Sequence, residues 1–437
     1  PKTALQLLTG AGDIGAALTS DARVDGVAFT GSTQTALMIR KSMAANLAPG
    51  APLIAETGGL NAMVVDSTAL PEQAVQAIVE SAFQSAGQRC SALRCLYVQD
   101  DIAEPLLEML KGAMDALCVA APWALSSDVG PVIDAEAKQR IVDHIETARL
   151  DGHILHELPV PDGGYFVAPT LIELDGIDQL EREVFGPVLH VVKFGAEDLN
   201  DVIEAINATG YGLTFGLMTR IDDRVQWVTD RLDVGNIYVN RNQIGAIVGS
   251  QPFGGEGLSG TGPKAGGPRY LARFCRTDAF SQAASWTQDE GQEALQTRLD
   301  EAKAKMGLPS QTLTLPGPTG ESNRLTTSPR SPVLCLGPGE DLAAEQAKVI
   351  ARLGGKSVCA AGSISPNALQ SLKGFSGVIW WGDADQARAY ALALSEREGP
   401  ILPLIRRMPD AGYVLHERHV CVDTTAAGGN AALLGGL

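Results

Sequence analysis

The chain has 437 residues, of which 45% are hydrophobic and 19% are charged, a composition typical of globular proteins with two or three domains. Its formal net charge of −17 argues against a surface that binds nucleic acid or anionic membranes, because an acidic protein repels both at long range. No apolar run is long enough to span a bilayer and the N-terminus lacks a signal-peptide pattern, so we expect a cytoplasmic location.

Strand-like and helical patterns alternate from the first residues onward, which predicts a parallel, doubly wound α/β sheet. The predicted strands cover residues 5–8, 24–29, 53–55, 62–65, 93–98 and 235–240, and the predicted helices cover 13–19, a segment after Ser32, 71–86 and 102–117. Because Thr3–Leu8 has the pattern of a strand in mid-domain and the first residue is not Met, we expect a further segment upstream.

The later part of the chain changes character twice. Residues 252–268 are crowded with glycine and predict an ordered, irregular loop, and residues 282–330 predict a helix followed by a linker. Beyond 330 the alternation resumes, with predicted strands at 333–336, 358–361 and 378–381 and predicted helices at 341–353 and 384–394. This part predicts a second, smaller α/β domain.

Two glycine-containing turns near the N-terminus are candidate phosphate sites. Gly10–Gly15 matches G-x-G-x-x-G, but no acidic residue follows at the distance expected for a ribose ligand, so a plain turn between strand and helix explains it at least as well. Thr30, Gly31 and Ser32 follow a strand and open a helix, where hydroxyls and backbone N–H groups suit a phosphate. An ordinary N-cap would use the same residue types.

Two residues are candidates for covalent chemistry. Glu56 ends an apolar strand beside two glycines, a placement that suits a general base, although an N-capping glutamate is the alternative. Cys90 lies in a turn of small residues beside Arg89, which favours the thiolate. The seven cysteines contain no CxxC pair and indicate neither disulfides nor a zinc site. Three of them lie on apolar strands and are interpreted as packing residues: Cys335, Cys359 and Cys421.

Two further segments are ambiguous by themselves. Glu183 and Phe185 are two positions apart, so in an extended segment both side chains point to one side. They suit a ribose and a nicotinamide ring, but a strand that ends in a Gly-Pro turn is the simpler alternative. His416-Glu-Arg-His419 is not the HExxH arrangement and has no evident third ligand, so we interpret it as a solvated pair and expect no metal site.

The order and spacing of five motifs resemble the aldehyde dehydrogenase superfamily. Those motifs are Phe-Thr-Gly-Ser-Thr, Glu-x-Gly-Gly-x-Asn, Gly-Gln-x-Cys, Glu-x-Phe-Gly-Pro and Pro-Phe-Gly-Gly. Longer segments are similar to the glutamate-semialdehyde dehydrogenase half of the bifunctional proline utilization A proteins. They are Ala55–Asp66, Ser81–Arg94, Asn207–Leu213 and Gly254–Pro268.

The resemblance implies an aldehyde dehydrogenase-like fold with a partial Rossmann-type NAD domain (1–56), a catalytic domain (57–252) and a glycine-rich return segment (253–281). A helix and linker (282–330) and a C-terminal domain without its own active site (331–437) would follow. That last domain is expected to act as a lid or wall over a channel.

The resemblance also implies a role for each site residue. Cys90 would attack the aldehyde to form a thiohemiacetal that passes hydride to NAD, its backbone N–H would help to hold the oxyanion, and Glu56 would activate the water that hydrolyses the thioester. The implied cofactor ligands are Thr30, Gly31, Ser32, Gly58, Glu183 and Phe185. The implied anchors for the α-carboxylate of the substrate are Arg89, Ser91, Gly245 and Ala246.

The resemblance implies oxidation of L-glutamate γ-semialdehyde, an amino-acid aldehyde, to L-glutamate. An FAD-dependent proline dehydrogenase domain would lie upstream in the same chain, together with the asparagine side chain that shares the oxyanion and the ligands of the adenosine ribose. A homo-oligomer is compatible with the sequence. The alternatives are an aldehyde dehydrogenase for another small aldehyde, against which the carboxylate anchors argue, and a degenerate structural module, against which Cys90 and Glu56 argue.

Overall fold

The computed structural model describes residues 3–275, 278–304 and 311–425. These residues fold into two compact units, each made from discontinuous stretches of the chain. The first unit contains the described residues up to Thr57 together with Gly260–Thr312 and Thr326–Glu417, and the second contains Gly58–Ser259, Leu313–Leu325 and the described residues from Arg418 onward. Among the helices of the described ranges, none is long and apolar enough to cross a bilayer.

The helices and strands alternate along most of the chain. The helices are α1 (Gly12–Thr19), α2 (Thr33–Asn46), α3 (Pro71–Phe83), α4 (Asp100–Asp115), α5 (Ala135–Leu150), α6 (Leu199–Ala208), α7 (Asp222–Arg231), α8 (Gln292–Ala304), α9 (Glu340–Arg352), α10 (Ala368–Ser371) and α11 (Ala384–Ser395). The strands up to residue 260 are β1 (Val27–Thr30), β2 (Leu53–Glu56), β3 (Ala62–Val65), β4 (Cys95–Gln99), β5 (Ile154–Glu157), β6 (Thr170–Glu173), β7 (Val188–Phe194), β8 (Tyr211–Gly212), β9 (Thr214–Met218), β10 (Asn236–Val239) and β11 (Glu256–Gly257). The later strands are β12 (Gln311–Leu315), β13 (Glu321–Pro329), β14 (Val333–Cys335), β15 (Ser357–Cys359), β16 (Gly377–Ile379), β17 (Leu404–Ile405) and β18 (Leu415–Asp423).

The first unit contains two parallel sheets. Strands β1 and β2 pair in parallel, with Thr30 opposite Glu56. A separate sheet has the order β15-β14-β16-β17, and all its pairs are parallel. Apolar side chains are buried on both of its faces, with Leu334 and Val378 in one core cluster and Val333 and Ile379 in another. This arrangement explains why these short strands are continuous apolar runs.

The second unit is built on a ten-stranded sheet of order β12-β13-β18-β10-β9-β3-β4-β7-β6-β5. The pairs from β18 to β6 are parallel, whereas β5 is antiparallel to β6. Both faces of the central strand β3 are buried, with Met63 and Val65 in the core under α3 and α4 and with Ala62 and Val64 in the core near α6 and α7. The predicted doubly wound α/β fold is therefore confirmed.

The predicted strand at Leu5–Leu8 is wrong. Residues 3–9 form no regular element and make no backbone hydrogen bonds within the described part of the chain. Leu5 and Leu7 are each 86% exposed. A strand requires a hydrogen-bonded neighbour, and in the described chain β1 pairs only with β2. The apolar pattern of this segment therefore does not translate into a strand.

The predicted linker that follows the helix in residues 282–330 is wrong. Helix α8 occupies part of this segment, but β12 and β13 follow it and join the ten-stranded sheet. The buried residues of β13 alternate along the strand at Asn323, Leu325 and Thr327. Two of these three residues are polar, so a pattern of apolar residues does not indicate this strand.

The interpretation of His416 and His419 as a solvated pair is wrong for His419. Both residues lie inside β18, where His419 is fully buried and its Nε2 is 3.1 Å from Oδ1 of Asn323. In the part of the chain that the structure describes, no group of three or more His, Cys, Asp or Glu residues is arranged to hold a metal ion.

Candidate active site

The segment that leads from α3 to Cys90 has an unusual backbone. Ser85 and Ala86 have φ values of 56° and 53°, in the left-handed region that residues other than glycine rarely adopt, and Gly87 follows with φ 65°. A side chain at Gly87 would collide with the carbonyl oxygen of Gly186. Backbone strain of this kind costs on the order of 1–3 kcal/mol for each residue and tends to occur at functional sites. The turn therefore fixes the position of Cys90, which is partly buried.

Asn61 holds the carboxyl side of the same turn. Its Nδ2 donates to the carbonyl oxygen of Cys90 at 2.6 Å and to that of Ala92 at 2.9 Å, while its Oδ1 accepts from the backbone N–H of Thr214 at 3.1 Å. The Asn61 side chain is buried, so these bonds are protected from water. Asn61 thereby ties the Cys90 turn to the start of β9.

Arg94 connects the Cys90 turn to the segment that contains Glu183. Its guanidinium donates to the carbonyl oxygens of Gly87, Arg89 and Gly186 and to Oε1 of Glu183, at distances between 2.7 and 3.3 Å. The side chain of Arg94 is 1% exposed. An arginine so deeply buried is tolerated only when its donors are paired, and here each of the three nitrogens has an acceptor.

Glu183 and Phe185 lie on one side of their segment, as predicted, because both contact Arg94. The guanidinium carbon of Arg94 is 5.1 Å from the centre of the Phe185 ring, and that ring is 44% exposed. Burial raises the pKa of Glu183, and the ion pair with Arg94 together with the backbone N–H of Gly59 opposes this rise. The Glu183 carboxylate and the exposed Phe185 ring therefore both lie next to Arg94.

Gly58 is required where it stands because the Glu183 carboxylate occupies the space that a side chain would need. A β-carbon at Gly58 would overlap Oε2 of Glu183. The Arg94 ion pair holds that carboxylate in place, so it cannot simply move away. The structure therefore brings Gly58 and Glu183 together, two of the predicted cofactor ligands.

Ser91 and the loop after β10 meet through Gln243. Nε2 of Gln243 donates to the carbonyl oxygen of Ser91 at 3.4 Å, and its backbone N–H donates to Oγ of Ser81 at 3.1 Å. Two residues later Gly245 has φ 96°, and its carbonyl oxygen accepts from the Tyr238 hydroxyl at 3.1 Å. Burial raises the pKa of Tyr238, and the Cys421 and Cys90 thiols raise it further. The Tyr238 hydroxyl thereby fixes the backbone of the loop at Gly245.

The remaining predicted substrate ligands are open to solvent. Arg89 is exposed, and its Nε donates to Oγ of Ser85 at 3.2 Å. Ala246 is also exposed, and a side chain at Gly245 would meet no atom within 4 Å. The second unit thus presents a guanidinium and an exposed loop backbone that are free to approach an anionic group from solvent.

The predicted residues of the first unit meet at the carboxyl ends of β1 and β2. The backbone N–H of Gly31 donates to the carbonyl oxygen of Glu56 at 3.2 Å. Ser32 is the N-cap of α2, where its Oγ accepts from the backbone N–H of Thr35 at 3.1 Å. Thr30, Gly31 and Ser32 are all exposed. The N-cap interpretation of Ser32 is therefore confirmed, and the first turn of α2 is open to solvent.

The glycine-rich loop returns to β2 beside Glu56. Gly260 forms an isolated bridge with Glu56, and Thr261 exchanges hydrogen bonds with the backbone of Ala55 on the same strand. Burial raises the pKa of Tyr270, and the nearby Glu56 carboxylate raises it further. This loop therefore braces the strand end that carries the predicted base.

Sequence reasoning missed three residues that organise the site: Asn61, Arg94 and Gln243. Asn61 and Arg94 lie within the segments that resemble the proline utilization A proteins, but the resemblance implies no role for either. The signal was available for Arg94, since an arginine directly before the apolar strand β4 must be buried with partners. Gln243 has no such signal, because it lies in an irregular loop where no periodic pattern indicates which side chains are buried.

Comparison with known proteins identifies the family. Residues 1–280 match the profile described as the aldehyde dehydrogenase family, which is well over half of the chain. The chain belongs to the aldehyde dehydrogenase family.

Its similarity to curated aldehyde dehydrogenase relatives extends past that match. The chain is 43% identical to the bifunctional protein PutA of Salmonella typhimurium in an alignment that covers 99% of this chain and 37% of the relative. It is 36% identical to 1-pyrroline-5-carboxylate dehydrogenase 2 of Bacillus subtilis over 290 residues, 64% of this chain and 56% of the relative. The chain thus spans little more than a third of the length of the longer relative.

Solved structures of this family agree with the fold. A variant of Bradyrhizobium japonicum proline utilization A matches with a TM-score of 0.62 and 57% identity, covering 63% of this chain and 28% of that one. A 1-pyrroline-5-carboxylate dehydrogenase from Thermus, described with bound NAD, matches with a TM-score of 0.56 and 37% identity, covering 61% of this chain and 52% of that one.

Proposed function

We propose that this chain carries the catalytic part of an NAD-dependent dehydrogenase that oxidises L-glutamate γ-semialdehyde to L-glutamate. The observation that carries the proposal is Cys90 on a strained turn, with Asn61 and Arg94 holding the backbone on either side of it. A nucleophile held in this way needs little reorganisation when it attacks a carbonyl carbon. The names of the relatives, PutA and 1-pyrroline-5-carboxylate dehydrogenase, support the reaction class.

In the first step the Cys90 sulfur attacks the aldehyde carbon, and the carbonyl oxygen becomes an oxyanion. The backbone N–H of Cys90 is assigned as one donor to that oxyanion. Arg94 supports this geometry, since its bond to the Arg89 carbonyl oxygen fixes the peptide plane that contains this N–H, and Asn61 fixes the next peptide plane through the Cys90 carbonyl oxygen.

The arrangement around Glu183 fits a dinucleotide. When bound, NAD supplies the acceptor for the two electrons that leave the substrate carbon. Glu183 and Phe185 are assigned to the nicotinamide ribose and the nicotinamide ring, and Gly58 makes room for the Glu183 carboxylate. In the first unit, the exposed turn at Thr30, Gly31 and Ser32 is assigned to the pyrophosphate, because the N-terminus of a helix favours an anion.

Glu56 is assigned as the base that completes the cycle. Oxidation of the bound substrate leaves a thioester on Cys90, and water must attack its carbonyl carbon to release the carboxylate product and regenerate the thiol. Glu56 accepts the proton of that water. Its position at the end of β2, braced by Gly260, gives the carboxylate a fixed backbone.

We assign substrate choice to the residues that suit the α-carboxylate of the amino-acid aldehyde. Ser91 and the loop that contains Gly245 and Ala246 are joined through Gln243, and Arg89 offers an exposed guanidinium. An apolar aldehyde would not need these groups. The runner-up function is an aldehyde dehydrogenase for another small aldehyde, and the substrate comparison described below discriminates the two.

The setting of the reaction follows from the relatives. Because the longer relatives are named bifunctional and the chain spans 37% of one of them, we propose that a proline dehydrogenase domain with its own FAD precedes this segment in the same protein. The cytoplasmic location and a homo-oligomeric state remain predictions.

The test uses the natural full-length protein and follows NAD reduction with glutamate γ-semialdehyde and with an unbranched aliphatic aldehyde. We expect Cys90→Ala to abolish both activities and Cys118→Ala, at an exposed cysteine, to leave them unchanged. A clear preference for the amino-acid aldehyde would support the proposal. Activity only on the aliphatic aldehyde would reject the substrate, and activity that survives Cys90→Ala would reject the mechanism.

A further inference from the structure

The first unit contains a cavity of about 90 Å³, and neither Thr30 nor Glu56 lines it. Its walls come from the buried face of α2, from residues 48–53, from the end of α11 and from residues 401–404. By volume it has room for roughly six to nine water-sized groups, which corresponds to a small organic molecule. Met38, which is 59% exposed, lies on the opposite face of α2.

Arg40 points into this cavity from α2 and is only partly satisfied. Its Nη2 donates to the carbonyl oxygens of Ser395 and Arg397, at 2.8 and 2.7 Å, but its Nε and Nη1 have no acceptor among the described residues. The residue is 7% exposed. Burial lowers the pKa of Arg40 to about 10, with a contribution from Arg397, so the side chain stays charged at neutral pH. A buried cation with two unpaired donors is costly unless a ligand pairs with it.

Arg273 adds a second cation to the same cavity. Its guanidinium lies 3.2 Å from the centre of the Tyr413 ring, and its Nε has no acceptor among the described residues. Burial lowers the pKa of Arg273, while Tyr413 and Asp410 oppose that shift.

The remainder of the lining contains no carboxylate that would neutralise these two arginines. Glu396, the acidic residue that acts on Arg40, forms an ion pair with Lys41 at 2.7 Å instead. Asp410 acts on Arg273 from outside the lining, where Arg330 opposes it. In a chain with a net charge of −17, a cavity lined by two arginines and no acid selects for an anion.

The rest of the wall is mostly apolar and distinguishes between kinds of anion. Met43, Leu394 and Leu402 line the cavity beside the arginines. A carboxylate pairs well with a guanidinium and leaves the remainder of its molecule free to contact such a wall. A phosphate or sulfate ion would direct polar oxygens at the same hydrocarbon and lose their hydration without compensation.

We propose that this cavity is a binding site for a small aliphatic monocarboxylate, whose carboxylate pairs with Arg40 beside Arg273 and whose hydrocarbon part packs against Met43, Leu394 and Leu402. The site is separate from the proposed oxidation chemistry and does not depend on it.

The experiment is a calorimetric titration of the full chain at pH 7 with 3-methylbutanoate, with 3-methylbutanamide as the uncharged control. We expect saturable binding of the acid and none of the amide. Loss of a charge-assisted pair should weaken binding by roughly tenfold to a hundredfold in Arg40→Gln, and Arg40→Lys should recover part of that loss. Met38→Gln, on the exposed face of the same helix, should bind like the natural sequence.

Because Arg40 also ties α2 to the end of α11, thermal unfolding of each variant is measured first. If Arg40→Gln does not fold, Arg273→Gln gives the deciding comparison, with an expected loss of several-fold in affinity. Absence of saturable binding to the natural sequence would overturn the proposal. So would equal binding of the acid and the amide, unchanged affinity in the arginine variants, or inorganic phosphate that binds as tightly as the acid.

Discussion

The turn around Cys90 and the cavity beside α2 are each organised by a buried arginine, but the two arginines are satisfied to different degrees. In Arg94, every nitrogen has a protein acceptor, and the acceptors belong to two separate segments of the second unit. In Arg40, one nitrogen has acceptors and two do not. A fully paired arginine holds a structure together, whereas a partly paired one has donors left for a ligand.

The largest expected effect is the replacement of Arg94. Arg94→Met leaves the Glu183 carboxylate and three backbone carbonyls without their donor, so we expect the free energy of unfolding to fall by about 3–5 kcal/mol. Urea denaturation followed by circular dichroism measures this. Arg94→Met combined with Glu183→Gln should recover part of the loss, because no buried charge then remains unpaired. No recovery would mean that the carbonyl contacts, rather than the ion pair, carry the stability.

The matched change in the other region sharpens the comparison. Arg40→Met breaks two hydrogen bonds but removes a buried charge with two unpaired donors, so we expect a loss below about 2 kcal/mol in the same denaturation experiment. A loss as large as that of Arg94→Met would show that the two arginines have equivalent structural roles.

The next effect concerns Asn61, the other side chain that fixes the Cys90 turn. Asn61→Ala leaves two carbonyl oxygens and one backbone N–H without partners, which should cost about 2–3 kcal/mol of stability. Because the Cys90 peptide is then less restrained, kcat should fall more than KM rises. Asn200→Ala, in an exposed pair on α6, serves as the control and should change neither quantity. A variant that loses stability but keeps its kcat would limit Asn61 to a structural role.

The histidine behind Arg94 predicts how stability depends on pH. Nδ1 of His190 bonds to the Arg94 carbonyl oxygen at 2.9 Å, and its Nε2 lies 2.8 Å from Nε2 of His144. Burial lowers the pKa of His190 from 6.5 to about 3, and burial also lowers that of His144. The unfolded state therefore binds more protons below pH 6.5, so His190 should remove stability as pH falls from 6.5 toward 3, and His144 should act in the same direction.

The slope from His190 should be at most about 1.4 kcal/mol per pH unit, and it should disappear in His190→Gln. Denaturation curves at pH 7.5, 6.5, 5.5 and 4.5 measure it. His153→Gln, at an exposed histidine, should keep the slope. An unchanged slope in His190→Gln would mean that other groups titrate in this range.

The smallest effect tests the space reserved for the Glu183 carboxylate. In Gly58→Ala the new methyl group must displace that carboxylate from its place beside Arg94, so we expect KM for NAD to rise about tenfold and the free energy of unfolding to fall by about 1 kcal/mol. Gly112→Ala, in an open position on α4, is the matched control and should leave KM unchanged while it stabilises the helix by roughly 0.5–1 kcal/mol. Equal kinetics in both variants would separate Gly58 from cofactor binding.

The sequence was sufficient to predict the alternation of strands and helices and, for a few elements, where they begin or end. The boundaries of β3 and the start of α3 agree because apolar periodicity and Pro71 define them locally. The contacts that define the site are not local. Asn61 bonds to residues about 30 positions later and Gln243 to a residue about 150 positions earlier, and no spacing rule encodes such pairs.

The two wrong element predictions have related causes. The segment Leu5–Leu8 has the residues of a strand but no neighbour in the described chain, whereas β12 and β13 have polar residues and strand neighbours. Strand formation depends on pairing as much as on residue type. For the same reason, the sequence did not indicate that the last described strand joins the sheet of the second unit.

That last strand, β18, affects the order in which the molecule is made. Asn236 of β10 pairs with His419 of β18, about 180 residues later, so during synthesis β10 emerges from the ribosome long before its neighbour exists. Until then one edge of β10, only a few residues before the loop that contains Gly245, has backbone groups open to any other strand. The ten-stranded sheet can therefore be completed only after β18 has been synthesised. A premature stop between Tyr413 and Leu415 would leave every active-site residue in the chain but remove the strand that pairs with β10.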